Sequence, residues 1–122
     1  MRRILGLKEK ATFDSTEVRS TLNGHLHQDV NTASIHFKDW TRLTTHKASA
    51  QSLKDLIFAA RVVKHARSNA IVIAKNEQLI GCGAGQTSRI DALKIAIDKA
   101  KRSGFDLNDA SMASEAFFPF PD

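Results

Sequence analysis

Ala70-Ile71-Val72-Ile73-Ala74-Lys75-Asn76-Glu77-Gln78-Leu79-Ile80-Gly81-Cys82-Gly83-Ala84-Gly85-Gln86-Thr87-Ser88-Arg89 carries two strands and the opening of a helix. Residues 70–74 are a short, β-branched, wholly apolar run, the composition of a strand buried on both faces. Asn76-Glu77 supplies a tight turn, so residues 78–84 return as an antiparallel strand. Ser88 is an N-cap candidate. After it Ile90, Leu93, Ile97 and Ala100 recur at helical spacing, and Gly104 is a C′ stop.

Upstream, Leu53, Leu56, Ile57, Ala60 and Val63 form another apolar stripe, which predicts a helix over about residues 50–66. Ser52 and Asp55 have capping-box spacing there. Residues 110–114 read as a further short strand. The order helix, strand, strand, helix, strand over residues 49–122 makes the fold class α/β, a sheet with helices packed on it. Residues 1–48 are a β-rich lead-in to the same single domain. Alternation predicts strands at 17–22 and 40–45, with Asn23-Gly24 as a turn.

The chain has 122 residues, 42% hydrophobic and 25% charged, ordinary values for one globular domain. No apolar run is long enough for a membrane span, and the basic start, Met1 to Lys8, has too short an apolar stretch for a signal peptide. The expected location is cytoplasmic. Cys82 is the single cysteine, which excludes an internal disulfide and any Cys-rich zinc site; beside glycines it reads as a small packing residue. The formal charge of +5 favours an anionic partner. The basic residues are dispersed and tyrosine is absent, so the pattern of a nucleic-acid surface is missing.

Three segments are candidates for chemistry. Gly81-Cys82-Gly83-Ala84-Gly85 before a helix N-terminus either lets a ligand approach backbone N–H groups or marks close packing of a strand. Arg89 in the following turn has the fork to grip a carboxylate or phosphate. Neither the dinucleotide fingerprint nor the Walker spacing is met. Phe117-Phe118-Pro119-Phe120-Pro121-Asp122 exposes apolar surface unless the core, a partner subunit or a flat ligand covers it. Lys64-His65 suggests a proton shuttle beside a cation, but helical geometry turns the two about 100° apart, and a solvated helix end is the preferred reading. His25 and His27 share a strand face without a carboxylate or thiolate partner to make a metal site.

Three blocks in order carry a family resemblance: residues 64–75 with Ser68-Asn69-Ala70, residues 81–89, and residues 113–122. They resemble the AICAR (aminoimidazole carboxamide ribonucleotide) transformylase domain of the bifunctional purine-synthesis protein that also carries IMP cyclohydrolase. The family pattern there runs S-N-[AS], then G-x-G-A-G-Q-x-S-R, then S-D-A-F-F-P-F-R-D. Asn23-Gly24-His25-Leu26-His27-Gln28 is similar to its G-G-x-L-x-Q segment.

The resemblance implies a cytidine-deaminase-like layered sheet with helices, here truncated, working as a homodimer or with a fuller homologue. It implies formyl transfer from 10-formyltetrahydrofolate, a co-substrate, to AICAR in purine (IMP) biosynthesis, without metal. By the same resemblance, Asn69 and Arg89 contact the AICAR nucleotide from the neighbouring subunit and Phe117 lines its pocket. Ile90 and Asp122 sit against the folate. The chain departs from the family at Glu115 and Pro121, where Asp and Arg are usual. It also lacks the catalytic Lys-His-x-x-Pro-x-Gly motif, so Lys64-His65 is not that pair. The expectation is a central slice of the transferase, inactive alone. The alternatives are a non-catalytic ligand-binding or assembly module of that family, and an unrelated basic nucleic-acid binder, which the resemblance disfavours.

Overall fold

The computed structural model describes residues 15–118. The chain divides into two compact units, Met1–Ser34 and Ile35–Asp122. In the first, β1 (Thr16–Thr21) and β2 (Gly24–Asp29) form an antiparallel hairpin with Thr21 opposite Gly24, the turn falling at Leu22-Asn23. Val18, Leu22 and Leu26 are exposed. His25 and His27 lie on β2, and no group of three metal-ligating side chains occurs among the described residues.

The second unit is α/β, as its pattern of elements predicts. It comprises α1 (Ala50–Val63), β3 (Ile71–Lys75), β4 (Gln78–Gly83), α2 (Arg89–Arg102) and β5 (Ser111–Ser114). The antiparallel sheet has the order β4-β3-β5. One helix covers each face of the central strand. Ile71 and Ile73 pack with Ile80, Ala92, Ala96 and Ala100 on the α2 side. Val72 and Ala74 pack with Ala59 and Val63 on the α1 side. This explains why β3 is apolar at successive positions and does not alternate. Among the described residues no helix is long and apolar enough to cross a membrane.

Gly81 and Gly83 show the close-packing reading of the glycine run. A Cβ at Gly83 would overlap the carbonyl oxygen of Ala92, and one at Gly81 that of Ala96. Two residues of strand advance about 6.7 Å and four of helix about 6 Å. The glycines of β4 therefore mesh with Ala92 and Ala96 of α2. These two positions serve close helix–sheet packing.

Several details differ from expectation. Residues 40–45 form no strand: a 3₁₀ turn at Phe37–Asp39 precedes them, and Arg42 donates to the carbonyls of Thr44 and Thr45 at 3.1 and 2.9 Å. That bend is incompatible with an extended ladder strand. Helix α1 ends at Val63, because His65 and Ala66 bond back three residues to Val62 and Val63 and tighten the final turn. Its N-cap is Ser49, whose hydroxyl accepts from the Ser52 amide at 3.0 Å, so Ser52 and Asp55 are no capping box. Ser88 and Gly104 behave as expected. Ser88 caps α2, and Gly104 (φ 79°) closes it while the Phe105 amide reaches Ala100 O at 3.0 Å, a Schellman ending.

Asp55 has a different task. It is 1% exposed and accepts the amides of Asn76 and Glu77 at 3.1 and 2.7 Å, with Gln51 donating at 3.1 Å. Asn76 and Glu77 both have positive φ (54° and 56°), the geometry of a type I′ turn between β3 and β4. Burial pushes the Asp55 carboxyl up, but the Glu77 and Asn76 amides and Gln51 outweigh it and hold its pKa below the ordinary value.

Asp55→Asn, which turns an N–H donor toward donors, is expected to cost about 2 kcal/mol in chemical denaturation. The ordinary Asp carboxyl pKa is 3.8, so the native carboxylate contributes stability above that pH and loses it as pH falls through the lower folded pKa. The melting temperature of Asp55→Asn should accordingly fall less steeply in acid than that of the parent chain.

Candidate functional site

The hairpin β3–β4 continues past its ladder into two loops. The Gly85 amide donates to Arg67 O at 2.6 Å, Asn69 N to Gln86 O at 2.9 Å, and Gln86 N to Asn69 O at 3.3 Å. These bonds fix residues 67–69 against 85–87. The Asn69 side-chain amide adds bonds to Gln86 O at 2.9 Å and Thr87 O at 3.2 Å. Gly85 has φ 69°, which lets the chain turn from β4 toward α2.

Arg89 opens α2 at the same end of the sheet. Its Nη1 donates to both carboxylate oxygens of Glu115 at 2.8 Å and to Ser114 Oγ at 3.1 Å, and its Nε donates to Phe117 O at 3.1 Å. The guanidinium carbon lies 5.9 Å from the centre of the Phe118 ring, a cation–π distance. The Arg89 and Glu115 side chains are only 11% and 14% exposed. Glu115 also accepts from the Ala70 amide at 2.9 Å. Burial raises the Glu115 carboxyl, but Arg89, the Ala70 amide, its own amide and Ser68 prevail, and its pKa lies below the ordinary value.

One end of the sheet thus gathers three segments: 67–70 before β3, 85–90 between β4 and α2, and 114–118 after β5. Asn69, Arg89 and Phe117 are brought together there. Ile90 stands beside Arg89 in the first turn of α2, half-buried. Asp122 lies outside the described residues. Arg89 does grip a carboxylate, one supplied by its own chain. Of the aromatic segment, Phe118 lies against Arg89 whereas Phe117 remains 79% exposed. Lys64 is the C-cap residue of α1 and His65 is exposed in the turn after it, a helix end as preferred.

Sequence reasoning missed Glu115 and Gln86 as builders of this cluster. Glu115 sits 26 residues from Arg89, and nothing local marks the pairing. A separate groove of 460 Å³ in the same unit is lined by Phe37, Trp40, Leu43, Leu53 and Leu56 among others, with Phe37 and Trp40 edge to face at 5.7 Å.

The family model described as "AICARFT/IMPCHase bienzyme" matches residues 1–99. The bifunctional purine biosynthesis protein PurH of Bacteroides thetaiotaomicron is 48% identical over 120 residues, 98% of this chain and 24% of that protein. PurH of Aquifex aeolicus is 49% identical over 106 residues, 87% of this chain and 21% of that protein. PurH of Chlorobium phaeobacteroides is 45% identical over 121 residues, 99% and 23% respectively. The chain spans about a quarter of the length of these curated relatives. With a family match over most of its length and such identity along nearly all of it, this chain belongs to the AICARFT/IMPCHase bienzyme family of purine biosynthesis.

Proposed function

We propose that this chain forms part of the nucleotide-binding half-site of AICAR formyltransferase, the activity that moves a formyl group from 10-formyltetrahydrofolate to AICAR. The observation that carries the reading is the convergence of Asn69, Arg89 and the Phe117-Phe118 segment at one end of the sheet. In that reaction the exocyclic amine of AICAR attacks the formyl carbon. A tetrahedral adduct forms, the folate nitrogen leaves, and the amine loses a proton. Holding two substrates in register supplies much of the rate.

This chain's residues serve the holding. Asn69 and Arg89 offer hydrogen bonds to AICAR and Phe117 a face for its ring. Ile90 and Asp122 are assigned to the folate side, Ile90 as apolar contact. The sequence contains no Lys-His-x-x-Pro-x-Gly motif to act as base. The high exposure of Phe117 supports a site completed by a second copy or a fuller homologue. The nearly buried Arg89–Glu115 pair supports a preorganised recognition element.

Calorimetric titration of the purified chain with AICAR and with a folate analogue tests this. Saturable AICAR binding without formyl transfer is expected. No binding at millimolar AICAR, or transfer by contaminant-free chain, would contradict it.

A further inference from the structure

Among the described residues, Glu115 is the one side chain that touches two of the segments carrying the proposed ligand residues while belonging to the third. Its Oε2 accepts from the Ala70 amide, one residue from Asn69, at 2.9 Å. Both its oxygens take Arg89 Nη1 at 2.8 Å. Two residues further along its own segment, Phe117 O takes Arg89 Nε at 3.1 Å. Arg89 thus has Nε and Nη1 committed, while Nη2 donates to nothing among the described residues. The guanidinium is planar, so fixing two of its nitrogens fixes the direction of the third.

We propose that Glu115 is a positioning residue: it locks the Arg89 guanidinium by its Nη1 edge so that the Nη2 edge is presented to the ligand, and it ties that edge in register with Asn69. The carboxylate acts through Arg89 and does not itself meet the ligand. The proposal rests on the nucleotide-binding reading for the identity of the ligand. The Arg89–Glu115 lock itself can be read without any ligand.

A carboxylate beside Arg89 has two opposed effects on ligand binding. It orders the guanidinium, and it partly neutralises its charge. In Glu115→Gln the amide keeps the shape but places N–H donors against Arg89 or Ala70, so the fork loses its anchor while its charge is released. Ordering dominates if Glu115 positions Arg89, whereas charge dominates if Glu115 only competes with the ligand. The two give opposite signs.

The test compares wild type, Glu115→Gln, Arg89→Ala and the double variant as full chains. Two quantities are measured: AICAR affinity by calorimetry, and the Arg89 Nε–H resonance by ¹⁵N NMR in the absence of ligand. Glu115→Gln is expected to weaken AICAR binding by about tenfold or more, and to add no further loss in the Arg89→Ala background. The Arg89 Nε–H signal, slowly exchanging in wild type, should exchange fast in Glu115→Gln while the backbone amide spectrum stays folded.

Tighter AICAR binding in Glu115→Gln would overturn the proposal. So would an unchanged Arg89 signal, or an equal loss with and without Arg89. If Glu115→Gln does not fold, Glu115→Asp, the residue usual in the family, takes its place: as a carboxylate it should keep the Nε–H protection and the AICAR affinity, and loss of both would overturn the proposal. A wild-type chain that does not bind AICAR would remove the ligand reading, and the NMR signal would still decide the lock.

Discussion

Gly83→Ala is expected to destabilise the Ile35–Asp122 unit by about 3 kcal/mol or more, lowering its melting temperature by roughly 15 °C. The new methyl would overlap the Ala92 carbonyl oxygen, and Ala92 C and Cα would stand at 2.7 and 2.9 Å. All three are main-chain atoms inside α2, so no side-chain rotation relieves the clash. The helix would have to lift from the sheet. That would open the cluster around Ile71, Ile73 and Ile80 and shift the helix start that carries Arg89. The matched control is Gly24→Ala in the hairpin, where the nearest atom is the Thr21 hydroxyl at 4.0 Å; a change within about 0.5 kcal/mol is expected. Circular dichroism melts of both variants check the pair. A Gly83→Ala chain that melts with the parent would mean that the alanine line of α2 is not pressed on β4.

The second large effect falls on the site. Arg89→Ala is expected to weaken AICAR binding by more than about thirtyfold in calorimetric titration. It should also cost about 2 kcal/mol of stability, because the nearly buried Glu115 carboxylate keeps the Ala70 amide but loses its cation. Ser114 and the Phe117 carbonyl lose the same donor, so residues 114–118 should become protease-sensitive. The two effects separate by partial rescue: lysine at position 89 restores charge but not the fork, and should recover less than half of the lost binding free energy. Full binding by Arg89→Ala would remove Arg89 from the ligand contacts and leave it a structural tie.

Much of this was written in local pattern. The β3 run, the Asn76-Glu77 turn, the Ser88 cap and the Gly104 stop each rest on residues adjacent in sequence, and the structure has all four. The glycine run was ambiguous on its own because glycine serves both ligand approach and close packing. The clue that separates them stands in the next segment. Ala92, Ala96 and Ala100 repeat at four residues and mesh with a two-residue glycine repeat. The predicted apolar stripe of α2 held Ala100 with the bulky Ile90, Leu93 and Ile97, and missed Ala92 and Ala96, the points of closest approach.

Asp55 and Glu115 were illegible for a different reason. Each is an acidic residue that ties to backbone or side-chain donors distant in the chain, 21 and 22 residues away for Asp55 and 26 and 45 for Glu115. Acidic residues are ordinarily solvated, so no local signal marks them as internal ties. Residues 40–45 erred in the opposite direction. Their alternation was real, but Arg42 turns back onto Thr44 and Thr45, and an alternating segment without a ladder partner has no reason to stay extended.

A ¹⁵N-resolved NMR titration of the folded chain with AICAR reports where the nucleotide sits. Binding at this end of the sheet would move the backbone and side-chain signals of Asn69, Gln86, Arg89, Ile90, Ser114 and Phe117 together, saturating with one affinity. Shifts confined to Phe37, Trp40 and Leu43 around the other groove, or a spectrum that AICAR leaves unchanged, would contradict it.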